Sequence, residues 1–122
     1  MSAWQVEEIP DAANLFMRVH KMYVCEGEIN PGAFYDHGGG LSVDWEKYST
    51  PAATRDRAKR PAMNGVVSMV TRRVRHEAGM EVIHEPDEST QNRAHAEVIG
   101  EKTERVRILL SRIVKWEITI GG

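Results

Sequence analysis

Apolar and polar positions alternate over Leu15 to Val24 (L-F-M-R-V-H-K-M-Y-V), which predicts a strand. Leu15, Met17 and Val19 fall on one side of it, and Phe16, Arg18 and His20 on the other. A second alternation over Leu41 to Trp45 puts Leu41, Val43 and Trp45 on one face and Ser42 and Asp44 on the other. Thr50 is a good N-cap and Pro51 suits a first helical position, so a short polar helix is expected to about Lys59, ended by Pro61. Gly65 opens G-V-V-S-M-V, a β-branched run that reads as a central strand. T-R-R-V-R-H-E-A then predicts one or two helical turns stopped by Gly79. Short strands over Glu81 to His84 and Ala94 to Ile99 flank the polar loop P-D-E-S-T-Q-N-R.

Past Ile99 the period changes. Thr103 can cap a helix in which Val106, Leu109, Leu110, Ile113 and Val114 form one apolar stripe. Arg105, Arg107, Arg112 and Lys115 take its outer face, and Glu117 to Ile120 can add an edge strand. A stripe of this kind buries against a sheet. The chain is therefore expected to be α+β: one compact domain over 1–122, with a mostly antiparallel or mixed sheet of four to six short strands. One amphipathic C-terminal helix lies on one sheet face, with one or two short helices besides. Residues 1–13 read as a leader that packs back through Trp4, Val6 and Ile9, Cys25 to Gly40 reads as loop, and Gly121-Gly122 as a fraying end.

Composition changes this picture little. A length of 122 residues suits one core without staples, and 41% hydrophobic with 28% charged residues is ordinary for a globular chain. No apolar run approaches the roughly 18–20 residues that span a bilayer, so no membrane contact is expected. The start lacks the basic and apolar regions of a secretory signal. Cys25 is the only cysteine, which excludes an intramolecular disulfide and fits a cytoplasmic location. Charge is unevenly spread. Arg55, Arg57, Lys59, Arg60, Arg72, Arg73 and Arg75 face only Asp56 within that stretch, while the first fifty residues are acidic. The basic middle offers a nucleic-acid surface, although no aromatic residue lies in it to stack on bases.

Candidate chemistry gathers on the polar sides of the first two strands. If they are neighbours, Arg18, His20, Ser42 and Asp44 converge on one pocket. His20 would then act as base, Ser42 as nucleophile or ligand contact, and Asp44 as the group orienting the imidazole. There is no G-x-S-x-G elbow. His95 and Glu97 point the same way along a strand and would need His20 or His84 to complete three metal ligands. No zinc-motif spacing is present, so neither a metal nor a cofactor is expected. Gly38-Gly39-Gly40 lacks the lysine and helix of a phosphate loop and reads as a flexible lead-in to the strand. Trp45 and Tyr48, with Arg72 and Arg73, are the candidate contacts for a partner if they are exposed.

Read as a series, L-F-M-R-V-H, A-F-Y-D, L-S-V-D-W-E-K-Y-S-T-P-A-A-T-R, G-V-V-S and N-R-A-H-A-E-V-I-G-E-K-T, with the helix to Trp116, resemble a group of small bacterial proteins of uncharacterised function. The resemblance covers about Leu15 to Trp116, implies one bacterial domain and carries no activity across. A strand bearing Arg18, a loop with Phe34 and Tyr35, and a strand bearing Ser42 also look like the opening of ADP-ribosyltransferase-type folds that use NAD. The leading expectation is a protein- or ligand-binding module acting with a protein partner. The alternatives are a small enzyme or nucleotide-binding domain using Arg18, His20, Ser42, Asp44 and His95, and nucleic-acid binding through Arg55 to Arg75.

Overall fold

The computed structural model describes residues 4–120, so the expected fraying of the last two glycines and the first three leader residues lie outside it. In chain order the elements are β1 (Asn14–His20), β2 (Val24–Cys25), β3 (Glu28–Ile29), β4 (Leu41–Trp45), α1 (Pro51–Asp56) and β5 (Asn64–Val70). They continue as α2 (Thr71–His76), β6 (Glu81–His84), β7 (His95–Ile99), α3 (Glu104–Ile113) and β8 (Lys115–Ile118). The fold is α+β. Six strands form one antiparallel sheet in the order β6-β7-β4-β1-β5-β8, and β2 and β3 make a small hairpin.

The helix signals act as read. Thr50 Oγ1 accepts the Ala53 N–H and Thr103 Oγ1 accepts the Val106 N–H, capping α1 and α3. Several boundaries differ from expectation: α1 ends at Asp56 rather than Lys59, and the last strand runs over Lys115–Ile118 rather than Glu117–Ile120, so Lys115 lies in β8 and not on the outer face of α3. β1 stops at His20 because the ring Nδ1 accepts the Met22 N–H at 3.0 Å and starts a tight 3-10 turn at Lys21–Tyr23. The supposed loop after Cys25 holds the β2–β3 hairpin, whose turn places Glu26 and Gly27 at positive φ (52° and 81°).

One sheet face carries the core. Leu15, Met17, Val19, Val43, Val67, Met69 and Val98 point into it, closed over by Val74 of α2, Leu110 and Ile113 of α3, and Phe34. Burying a side chain of this size contributes about 1.5–3 kcal/mol. Val106 and Leu109 complete the α3 stripe at its margin, and Val114, in extended conformation just past the helix end, packs against the same core. The opposite face bears Phe16, Arg18, His20, Ser42 and Asp44, because residues two apart on a strand share a side. α1 covers part of that face, and the 85–93 loop folds back over another part.

Candidate functional site

β1 and β4 are paired only at one end. Glu46 N–H donates to the Asn14 carbonyl, and Leu15↔Trp45 and Phe16↔Asp44 are in register. Antiparallel ladders alternate wide and narrow pairs, so Arg18 and Ser42 would form the next narrow pair. The pairing does not reach them. Beyond Phe16 the two strands part, and the gap widens into a cavity of about 630 Å³ lined by Arg18, His20, Ser42, Asp44, Asn64 and His95 among others. The strands are neighbours, and the four residues singled out from the alternation line one space together with His95.

Their roles differ from those expected. Asp44 is 5% exposed, and its carboxylate is taken up by groups other than His20. Its Oδ2 accepts from Thr54 Oγ1 and Arg57 Nη1, each at 2.8 Å, and its Oδ1 accepts from Asn92 Nδ2 at 2.8 Å. It fastens α1 and the 85–93 loop to β4 rather than orienting an imidazole. His20 Nδ1 is occupied as an acceptor of the Met22 N–H, so the neutral ring carries its proton on Nε2. Arg18 Nη1 donates to the Thr54 carbonyl at 3.0 Å, and among the described residues this guanidinium has no carboxylate partner.

His95 has the opposite tautomer. Its Nδ1–H donates to the Glu85 carbonyl at 2.7 Å, which leaves the Nε2 lone pair facing Ser42 Oγ at 3.4 Å and Glu97 Oε1 at 3.3 Å. Burial pushes the Glu97 carboxyl above its usual range. The neighbouring His95 opposes this, Glu85 and Asp36 add to it, and Lys102 opposes it. Glu97 Oε2 is buried and is the one such side-chain atom among the described residues without a hydrogen-bond partner. It packs against Gly40, where φ is 90° and an added Cβ would stand 2.6 Å from it. The glycine run is therefore more than a flexible lead-in: Gly40 makes room for a carboxylate.

Lys102 holds that run in place. Its side chain is fully buried and donates to Asp36 Oδ2 at 2.5 Å and to the Val98 and Gly100 carbonyls at 2.9 Å each. Asp36 in turn accepts the Gly38 N–H at 2.8 Å.

Other candidates lie elsewhere. Trp45 is 3% exposed and meets Tyr48 and His84 edge-on, so it is core and not a docking anchor. Tyr48 is half-buried, donating to Glu7 with Arg93 over its ring, and it ties the N-terminal segment to the sheet. His84, buried on the core face, accepts the Glu7 N–H and reaches the Arg93 carbonyl, so neither it nor His20 completes a metal set with His95. Phe34 is in the core and Tyr35 meets His37 edge-on, and neither lines the cleft that holds Arg18 and Ser42. The basic middle is split. α1 sits on the cleft face, where Arg57 is neutralised by Asp44. α2 sits on the core face, where Arg73 pairs with Glu77 and Arg75 with Asp11, leaving Arg72 exposed. Thr54, Arg57, Asn92 and Glu85 were not among the expected site residues, since their parts depend on long-range folding of α1 and the 85–93 loop. None of the described helices is long and apolar enough to cross a membrane. No known protein family, curated protein or solved structure matches the chain.

Proposed function

We propose that this domain binds a small molecule joining a flat hydrogen-bonding edge to an anionic group, the chemistry of a nucleotide, in the cleft between β1 and β4. The interrupted ladder carries this reading. It leaves strand donors and acceptors at Arg18 and Ser42 directed across the gap, beside a guanidinium that lacks a counter-ion. About 630 Å³ falls within the roughly 300–1,000 Å³ of small-ligand sites. Ligand binding ranks ahead of docking to a protein partner because Trp45 and Tyr48 are packed inward. It ranks ahead of nucleic-acid binding because the basic segment is divided between two faces and Arg57, Arg73 and Arg75 are each paired with an acid.

A second reading, a small enzyme acting on that ligand, draws on the Ser42 hydroxyl facing the base-competent nitrogen of His95 at 3.4 Å. The ADP-ribosyltransferase resemblance keeps Arg18 and Ser42 in the cleft but loses Phe34 and Tyr35. Calorimetric titration with AMP, ATP and NAD tests the binding reading. One of them binds at one site, and Arg18→Ala weakens it at least tenfold. No binding by the native chain, or an unchanged affinity in Arg18→Ala, overturns it. Turnover of the bound nucleotide that disappears in His95→Ala would favour the enzyme.

A further inference from the structure

We propose that Glu85, His95 and Glu97 form a binding site for a divalent transition-metal ion of the manganese-to-zinc series. One ligand atom from each of the three lies within 4.8 Å of the others. The closest pair, His95 Nε2 and Glu97 Oε1, is 3.3 Å apart. Two ligands each about 2.1 Å from one ion, at angles between square and tetrahedral, stand roughly 3.0–3.4 Å apart. The His95–Glu97 spacing therefore suits a shared ion, and the exposed Glu85 side chain needs only a small movement to join it.

Three features prepare the set. The Glu85 carbonyl takes the Nδ1 proton of His95 and directs the Nε2 lone pair toward the Glu97 carboxylate, as the outer hydrogen bond of a metal-bound histidine does. Glu97 keeps a buried oxygen without a hydrogen-bond donor, which an ion on this carboxylate would give a positive neighbour. Gly40 leaves the volume that any side chain at that position would take from the carboxylate. An imidazole with two carboxylates suits manganese, iron, cobalt, nickel or zinc, while magnesium and calcium prefer oxygen alone. Three protein ligands leave further coordination positions, and His95 and Ser42 line the cavity on that side. An ion here would adjoin the cleft, but its binding does not depend on the nucleotide.

The test uses the full chain stripped with chelator and titrated with Mn²⁺, read by electron paramagnetic resonance, and with Zn²⁺, read by calorimetry. One ion per chain is expected, undisturbed by millimolar Mg²⁺. Glu97→Gln is expected to weaken binding at least a hundredfold, and Glu85→Gln, at an exposed position, at least tenfold. The Glu85 variant keeps the native thermal unfolding, so the test survives if Glu97→Gln fails to fold. Less than one ion per native chain, equal competition by Mg²⁺, or native affinity in Glu85→Gln overturns the proposal. The unpartnered oxygen would then belong to a protonated Glu97 that donates to His95.

Discussion

Arg57 Nη1 lies 2.8 Å from Asp44 Oδ2, an ion pair whose carboxylate side is almost wholly buried. Removing the acid leaves Arg57, Thr54 and Asn92 without their shared acceptor. Asp44→Ala should therefore destabilise the fold by about 3 kcal/mol, the usual effect of breaking a buried pair. Urea unfolding measures it, and a loss below about 1 kcal/mol would show the pair to be incidental.

Arg18→Ala should behave oppositely. The guanidinium is exposed and makes one hydrogen bond to protein, so stability falls by about 1 kcal/mol or less while nucleotide affinity drops at least tenfold. Paired unfolding and binding titrations separate the effects. Equal losses in both would make Arg18 a structural residue like Asp44.

Much of this arrangement was legible as pattern. Alternation over Leu41–Trp45 set which side chains share a face, and Thr50-Pro51 and Thr103 marked helix starts. Local signals sufficed because strand period and capping act over a few residues. The partners of Asp44 were not legible, since Asn92 comes from a loop 48 residues later. Tautomers were hidden for the same reason. His20 is fixed by a neighbouring amide and His95 by a carbonyl ten residues back, and neither shows in residue identity.

Acid should act through Asp36. Burial raises its carboxyl, but the Lys102 hydrogen bond, the Gly38 N–H and the Lys102 charge outweigh this, and the net shift is downward from 3.8. A depressed folded value adds stability above 3.8 that is lost as pH falls through 3.8 toward the folded value. Lys102→Met should lose about 3 kcal/mol near neutrality. It also leaves burial to raise Asp36, so its deficit relative to the native chain narrows as pH falls, first through the variant's raised value and then through the native chain's lowered one. Unfolding titrations at pH 7 and pH 3 give the comparison, and a deficit that stays constant would rule out Asp36 as the linked group.

Gly38 and Gly40 separate backbone strain from crowding. Both have positive φ, but a Cβ on Gly38 meets nothing within 4 Å, whereas one on Gly40 collides with Glu97. Gly38→Ala should lose about 1 kcal/mol, and Gly40→Ala at least about 1 kcal/mol more. Matching melting curves for the two would mean that Glu97 swings aside freely.

The two halves of the sheet are joined like pages bound at one corner. Stitching between β1 and β4 is confined to the Asn14–Phe16 end, and α1 reaches both strands beside it, through Arg18 to Thr54 just past the last rung and through Thr54 and Arg57 to Asp44 at that rung. A guest seated in the gap would act as the missing rung. Its hold would register across the whole sheet, as slower amide exchange along β1 and β4 together, and not only at the atoms it touches.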